Sequence, residues 1–124
     1  MTQEDKELLL KDLCARLPYN LKCEYNGEIY EVLGVAHGRV SVVKPFMSNS
    51  EWPLIEEVKP YLFPLSSMTE EQLPHYMATL KYDKEIEGMV ETSDTFDWFN
   101  KEHFDYRGLI EKSLALDATG LNIY

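Results

Sequence analysis

The chain has 124 residues, of which 44% are hydrophobic and 12% aromatic, and it carries a formal net charge of −10. This length is close to the commonest size of one domain, and the apolar fraction is sufficient for a core, so we expect a single folded domain over residues 1–124 rather than a disordered chain. The acidic balance argues against direct nucleic-acid binding, which requires a lysine and arginine surface. The longest apolar runs are far shorter than the roughly 20 residues that cross a bilayer, so no membrane segment is expected.

The net charge is concentrated in the middle of the chain. Residues 45–105 carry 13 acidic and 4 basic side chains, a balance of −9, whereas residues 1–44 have a balance of −1 and residues 106–124 are neutral. Such a charge distribution keeps a protein soluble, and it also permits a basic protein partner or a metal ion.

The N-terminus and the cysteines indicate the compartment. The start, MTQEDKELLLKDL, lacks the basic residues and the continuous apolar stretch of a secretory signal, so we expect a cytoplasmic protein. In a reducing cytosol we expect Cys14 and Cys23 to be free thiols on apolar faces.

Residues 2–17 are predicted to form the first helix. Thr2 can cap it, with Asp5 three residues later as in a capping box. Apolar residues at three- and four-residue spacing predict the buried face. They are Leu9, Leu10, Leu13, Cys14 and Leu17. Pro18 ends the helix.

An antiparallel meander follows the helix. Its three predicted strands are residues 19–25, 28–36 and 39–46. Asn26-Gly27 is a strong two-residue turn signal because both positions accept a positive φ angle, and His37-Gly38 is a second turn. Gly34, inside the second strand, predicts a bulge or a bend.

Residues 47–68 contain Pro53, Pro60 and Pro64, a density that excludes a long helix and a central strand. We therefore expect a loop, a short edge strand near residues 52–55, and an extended segment laid over the core. The apolar residues of that segment are Val58, Tyr61, Leu62 and Phe63.

A second helix is predicted over residues 66–83. Thr69 and Gln72 fit a capping box at its start. Pro74 would distort the first turn of this helix, so the alternative is a helix that begins near Leu73 with Pro74 in its first position.

A short link leads to a third helix over residues 92–104, which Thr92 or Ser93 caps. A last short helix is predicted around Leu109, Ile110 and Leu114, and Gly120 ends it.

Residues 103–107, HFDYR, place a histidine near a carboxylate, as general-base catalysis requires. Asp105 can instead bond to backbone N–H groups in a turn, and Arg107 can reach carbonyl groups at the helix end or pair with Asp105. Because positions 103 and 105 point to different sides of a helix, we interpret His103, Asp105, Tyr106 and Arg107 as a structural junction.

No metal site, cofactor or catalytic nucleophile is predicted, so we expect a protein that is not an enzyme. Asp94, Asp97, His75 and His103 could supply metal ligands, but they show no zinc-type spacing. The sequence contains no nucleophile elbow, P-loop or dinucleotide fingerprint.

Aromatic and acidic side chains provide the remaining functional signal. A groove lined by aromatic residues and ringed by carboxylates suits a basic or proline-rich peptide. Phe63 and Phe99 are interpreted as core residues, whereas Trp52 lies on a predicted loop or edge. The predicted partner-contact residues are Trp52, Tyr61, Glu85, Glu87, Glu91 and Asp94.

Three blocks of the sequence are distinctive: MTQEDKELLLKDLCARLPY, VKPYLFPLSSMTEEQ and HFDYRGLIEKSLALDA. Together they cover about 40% of the chain. In this order they resemble a set of short uncharacterised proteins that prophages and other mobile elements of gut anaerobic bacteria carry. That set has no assigned activity, so the resemblance implies only a context: a small accessory protein of a mobile element in a bacterial cytoplasm.

We therefore predict a single α+β domain, with an N-terminal helix, a small antiparallel SH3-like β-meander or half-barrel, and two or three C-terminal helices. The leading function is a non-enzymatic module that binds another protein. The alternative is an acidic decoy that mimics nucleic acid and occupies a basic host protein, which requires carboxylates along one continuous face. A hydrolase built on His103 and Asp105 would require both side chains to converge in one pocket.

Overall fold

The structure is a computed structural model that describes all residues from 1 to 124. The helices are α1 (Gln3–Arg16), α2 (Leu73–Ala78) and α3 (Ser93–Lys101). The strands are β1 (Lys22–Tyr25), β2 (Glu28–Ala36), β3 (Arg39–Val43), β4 (Ser50–Glu51), β5 (Lys59–Pro64), β6 (Lys81–Asp83), β7 (Gly88–Val90), β8 (Phe104–Asp105) and β9 (Leu116–Asp117). The fold is α+β, as predicted, with an N-terminal helix, a mostly antiparallel sheet and helices in the C-terminal half.

Helix α1 begins as predicted but buries a different face. The Oγ1 of Thr2 accepts a hydrogen bond from the backbone N–H of Asp5 at 3.0 Å, which confirms the cap. Leu10 and Cys14 are exposed, so their assignment to the buried stripe is wrong. The buried residues are Leu9, Asp12, Leu13 and Arg16. Two charged side chains thus take the places that were predicted for apolar ones.

Strands β1 to β3 form the predicted antiparallel meander. Asn26 and Gly27 adopt positive φ angles of 55° and 78°, as the two-residue turn requires. The register of β2 against β3 shifts between Val32 and Gly34, which confirms the predicted bulge.

Strand β5 is inside the sheet, which contradicts the expectation that its prolines exclude a central strand. It pairs antiparallel with β1 and parallel with β8 and β9. Pro60 and Pro64 lie near its two ends, and Phe63 between them donates its N–H to the carbonyl of His103 at 2.8 Å. Proline has no N–H group to donate, but the hydrogen bond to His103 is donated by Phe63, so neither proline interrupts it.

The main sheet stays open. Its strand order is β4-β3-β2-β1-β5-β8, and β9 also pairs with β5. The edge strand predicted near residues 52–55 is β4, at residues 50–51, and the pairing of Arg39 with Leu54 extends it. No pairing joins β4 to β8, so the sheet does not close into a barrel, and the SH3-like part of the prediction is not confirmed.

The predicted second helix is much shorter than residues 66–83. Helix α2 begins at Leu73 with Pro74 in its first turn, which is the alternative start. Thr69 and Gln72 exchange the predicted capping bonds, at 2.9 and 3.2 Å, but within a turn that precedes α2. A separate hairpin, β6 and β7, follows α2 in place of the helix end and the link.

The C-terminal prediction also needs two corrections. Helix α3 ends at Lys101 rather than Phe104 because His103 adopts a φ angle of 64°, which a right-handed helix does not allow. The last helix around residues 109–114 is not formed, and turns and bends lead to β9 instead. Ser113, with a φ angle of 61°, interrupts any helix there.

Helix α1 packs on the sheet and closes the main core. The core residues are Leu9, Leu13, Leu21, Cys23, Tyr30, Val32, Val40, Val42, Ile55, Val58, Leu62, Leu109, Leu114 and Ala115. Phe99 and Phe104 are buried in a second, aromatic cluster. Their rings lie 5.9 and 5.5 Å from that of Trp98, and the Phe99 ring lies 5.6 Å from that of Tyr76. Phe99 is therefore a core residue as predicted, and Phe63 is half-buried.

Candidate partner-binding surface

A buried ionic network joins α1 to the chain that follows α3. Asp12 and Arg16 are fully buried, and the Nε of Arg16 donates to Oδ2 of Asp12 at 2.9 Å. The same guanidinium donates to the carbonyl oxygens of Phe99 at 3.4 Å and Phe104 at 2.6 Å. Nη1 of Arg107 lies 2.7 Å from Oδ1 of Asp12. The network connects the main core with the aromatic cluster.

The HFDYR segment forms a structural junction at Asp105. Its Oδ1 accepts the backbone N–H of Leu109 at 3.0 Å, and its Oδ2 accepts that of Ile110 at 2.9 Å. This confirms the prediction of a turn-capping carboxylate. Arg107, however, pairs with Asp12 rather than with Asp105 or the helix-end carbonyls.

His103 and Asp105 do not converge. The ring of His103 stacks on that of Tyr124, with centroids 3.7 Å apart and planes inclined by 16°. His103 lines a cavity to which Asp105 does not contribute, and backbone N–H groups occupy both Asp105 oxygens. The hydroxyl of Tyr106 donates to Asn100 at 2.9 Å. The histidine–carboxylate pair that a hydrolase at this position would require is not formed.

The environment of His103 keeps its imidazole neutral. The residue is only 7% exposed, and its Nδ1 has no hydrogen-bond partner. Burial, together with the charges of Arg16 and Lys22, lowers the pKa of His103 from 6.5 to about 4.

We expect His103 to make folding less favourable as the pH falls from about 6.5 to about 4. In this window the unfolded chain binds a proton that the folded chain does not, so the free energy of unfolding rises with pH and its gain is complete above 6.5. At about 1.4 kcal/mol per pKa unit the effect is about 3 kcal/mol at most, and solvent at the accessible edge of the ring reduces it to roughly 2 kcal/mol.

Urea unfolding of the wild type and of His103→Asn, followed from pH 4 to pH 7, measures this effect. Asparagine tolerates the φ angle of 64° at this position but does not titrate. The difference in unfolding free energy between the two proteins should change only in the stated window. A difference that is constant over the whole range would contradict the lowered pKa.

The candidate metal ligands are not brought together. His75 lies on α2, and Asp94 and Asp97 lie on α3. All three are exposed, whereas His103 is buried and lines the cavity mentioned above. No group of three histidine, cysteine or carboxylate side chains is placed so that it could hold a metal ion.

Both cysteines are free, as predicted. Cys14 is on the exposed side of α1, whereas Cys23 is part of the main core. Burial, with a smaller contribution from Glu24, raises the pKa of Cys23 to about 12, so its thiol is unreactive at neutral pH.

Four of the predicted contact residues lie in one segment, residues 70–97, which we call the acidic segment. It carries eight acidic and two basic side chains, a balance of −6. Glu85 and Glu87 occupy the turn of the β6–β7 hairpin, Glu91 follows β7, and Asp94 is in the first turn of α3. All four side chains are exposed, as a contact surface requires.

Hydrogen bonds fasten the parts of the acidic segment to one another. The hydroxyl of Tyr76 donates to Oε2 of Glu91 at 3.0 Å, which ties α2 to the end of the hairpin. The hydroxyl of Thr92 donates to the carbonyl of Thr79 at 3.0 Å, and the Thr79 and Thr95 hydroxyls are 2.8 Å apart. The segment therefore presents its side chains from a fixed frame.

The negative charge of the acidic segment is not compensated within the fold. The five salt bridges of the protein all use residues outside it. Elsewhere, by contrast, Glu28, Glu31 and Glu56 each pair with a lysine.

Sequence reasoning missed the apolar side chains that accompany these carboxylates. Tyr82 and Met89 are directly opposed on β6 and β7, so they share one face, and they are 60% and 55% exposed. Ile86 in the hairpin turn is 63% exposed, and Met77 on α2 is 57% exposed. The available signal was the mixture of large apolar and charged residues in LKYDKEIEGMVE, which suits a half-exposed hairpin better than a link.

Trp52 and Tyr61 are not part of this surface. Trp52 follows β4 at the edge of the main sheet and is 48% exposed. Tyr61 is half-buried in β5, and three strands separate β4 from β5 in the sheet order. The structure thus divides the predicted contact residues into an acidic group of four and two separate aromatic residues.

None of the helices is both long enough and apolar enough to cross a membrane. The chain matches no known protein family model, and neither the curated proteins nor the solved structures include one with significant similarity to it.

Proposed function

We propose that this protein is a non-enzymatic interaction module that binds a basic protein segment through its acidic segment. The observation that carries the proposal is the combination of eight carboxylates outside every salt bridge with large exposed apolar side chains. Carboxylates steer and orient a cationic partner, and the apolar side chains contribute the burial on which affinity depends.

The chemistry of the surface favours an amphipathic partner. Methionine side chains adapt to different apolar shapes, and Met77 and Met89 are both exposed in the acidic segment. A helix with an apolar stripe and lysine or arginine beside it complements such a surface. The proposal also includes the bacterial cytoplasm and a mobile element as the setting, which the sequence resemblance supports.

We also propose that the β1–β3 meander is curved as in an SH3-like domain and that it forms a second contact region. The bulge at Gly34 and the bond from the N–H of Ile55 to the carbonyl of Gly38, at 3.0 Å, support it. Trp52 would be the aromatic anchor there, because it is exposed at the nearby edge.

The test is titration of the isotope-labelled protein with a synthetic helical peptide that has leucine on one face and lysine on the other. A peptide of the same composition with its leucines scattered is the ligand control. We expect saturable chemical-shift changes in residues 70–97, and a Kd that rises about tenfold, or about 1.4 kcal/mol, in Tyr82→Ser/Met89→Ser. Leu33→Ser is the matched control, because Leu33 is equally exposed on β2, at 56%.

The same titration separates this proposal from its rivals. Glu85→Gln/Glu87→Gln should weaken binding mainly at low salt, since exposed charges are screened, and Glu111→Gln is its control outside the segment. Binding that disappears at moderate salt and does not respond to the apolar variants would favour the acidic decoy. Binding that depends on Trp52→Ala alone would move the contact to the edge of the main sheet.

A further inference from the structure

The cavity that His103 lines has a volume of about 460 Å³. It forms where the chain between α1 and β1 meets the end of α3 and the last two residues. Its lining includes Tyr19, Asn20, Lys22, Lys101, His103 and Tyr124. The volume falls within the range of small-molecule sites.

The charged side chains that line this cavity are cationic. Lys22 and Lys101 both line it, and none of the 22 acidic residues of the protein does. Lys22 forms a salt bridge with Glu31 at 3.6 Å, whereas Lys101 forms none. In a chain with a net charge of −10, this cavity is lined by two lysines and by no acidic side chain.

His103 adds an unpartnered, buried imidazole to the cavity. Its Nδ1 is enclosed and has no hydrogen-bond partner. Nδ1 has no partner in either tautomer, but a proton on Nε2, the nitrogen that is not enclosed, places the N–H where a ligand can accept it. That tautomer directs a donor toward the accessible side of the ring.

The backbone and the neighbouring ring hold His103 in this position. Its φ angle of 64° is rarely adopted outside glycine, and its ring is stacked 3.7 Å from that of Tyr124. The hydroxyl of Tyr124 accepts the N–H of Lys22 at 2.9 Å and donates to the carbonyl of Tyr61 at 2.8 Å. A wall of the cavity and its imidazole donor are therefore fixed before any ligand arrives.

We propose that this cavity binds a small organic anion, whose phosphate or carboxylate group is held by Lys22, Lys101 and the Nε2–H of His103. Tyr19 and Tyr124 provide aromatic surface for the remainder of the ligand. Two ammonium groups disfavour a metal cation, and a cavity of this size accommodates a small molecule rather than a macromolecular partner. The site is separate from the acidic segment, so its test does not depend on the proposed partner binding.

Titration of the isotope-labelled protein with phenyl phosphate tests the proposal, with benzoate as the carboxylate probe and benzyl alcohol as the neutral control. We expect saturable shifts confined to residues 18–22, 101–103 and 123–124, with a Kd of about 1 mM for at least one anion. Benzyl alcohol should give none. Binding of phenyl phosphate alone identifies a phosphate site, and binding of benzoate alone identifies a carboxylate site.

Variants decide whether the proposed donors hold the anion. Lys101→Glu should raise the Kd at least fivefold, whereas Lys112→Glu, an equal charge change at an exposed lysine outside the cavity, should leave it within twofold. His103→Asn should also weaken binding. Shifts that spread over all exposed lysines without saturation at about 20 mM, or equal effects of the two lysine variants, would overturn the proposal.

Discussion

Asp12→Asn should lower the free energy of unfolding by about 3–5 kcal/mol, a large part of the total stability of a domain of this size. The substitution keeps the shape of the side chain and removes the anion between Arg16 and Arg107. Arg16 is fully buried, with its Nε 2.9 Å from the Asp12 carboxylate, so its charge would be left without a counter-ion in a place that water does not reach. Urea unfolding, followed by far-UV circular dichroism, measures the loss.

A double-mutant cycle separates the pair from its surroundings. The double variant Asp12→Leu/Arg16→Met removes both charges. We expect its loss of unfolding free energy to be about 2–3 kcal/mol smaller than the sum of the losses in Asp12→Leu and Arg16→Met. It should not reach wild-type stability, because the carbonyl groups of Phe99 and Phe104 lose the donor that Arg16 provides.

The exposed pair between Lys6 and Glu56 is the matched control. Glu56→Gln breaks an ion pair of the same formal charge, but its side chains are 37% and 38% exposed, so we expect a change below about 0.5 kcal/mol. An Asp12→Asn effect as small as that of Glu56→Gln would show that the buried network does not hold α1 to the C-terminal half.

The start of α1 could be predicted from the sequence, but its buried face could not. The start of the helix depends on Thr2 and Asp5, which are three residues apart, and local spacing is sufficient to identify such a cap. The buried face depends on partners 83 to 95 residues away, namely Phe99, Phe104 and Arg107. Asp12 and Arg16 were spaced i, i+4 and in phase with Leu9 and Leu13, but a charged pair in such positions is more often exposed.

The sheet shows the same division between local and distant causes. The turn at Asn26-Gly27 and the bulge at Gly34 follow from what single residues permit, and both were predicted. The central place of β5 follows from β8 and β9, two-residue strands that contain no pattern long enough to be recognised. The same holds for the candidate surface. Its negative charge could be predicted from the sequence, but the pairing of Tyr82 with Met89 could not, because the β6–β7 hairpin was not predicted.

Asp105→Ala should lower the free energy of unfolding by about 3 kcal/mol. The carboxylate accepts two backbone N–H groups, from Leu109 and Ile110, and the first of these residues is buried in the main core. Hydrogen bonds to a charged group are worth about 1.5–3 kcal/mol each, and partial access of water at Ile110 limits the sum. Asp105→Asn retains one acceptor oxygen, so its effect should be about half as large.

Asp117→Ala is the matched control for the capping role. The Oδ1 of Asp117 accepts the N–H of Thr119 at 2.8 Å in an exposed turn, so water replaces the lost bond and the expected change is about 0.5 kcal/mol. Equal losses in the two alanine variants would contradict the burial argument.

The pKa of His103 in Asp105→Asn, measured by NMR titration, adds a test that a stability measurement does not provide. The charges that act on His103 are those of Arg16 and Lys22, so its pKa should remain near 4 when the Asp105 carboxylate is neutralised. A marked further fall would mean that the carboxylate supports the imidazolium, as in a general-base pair, and the junction would then have to be reconsidered as a site of proton transfer. An unchanged pKa together with the loss of stability would assign Asp105 to the turn alone.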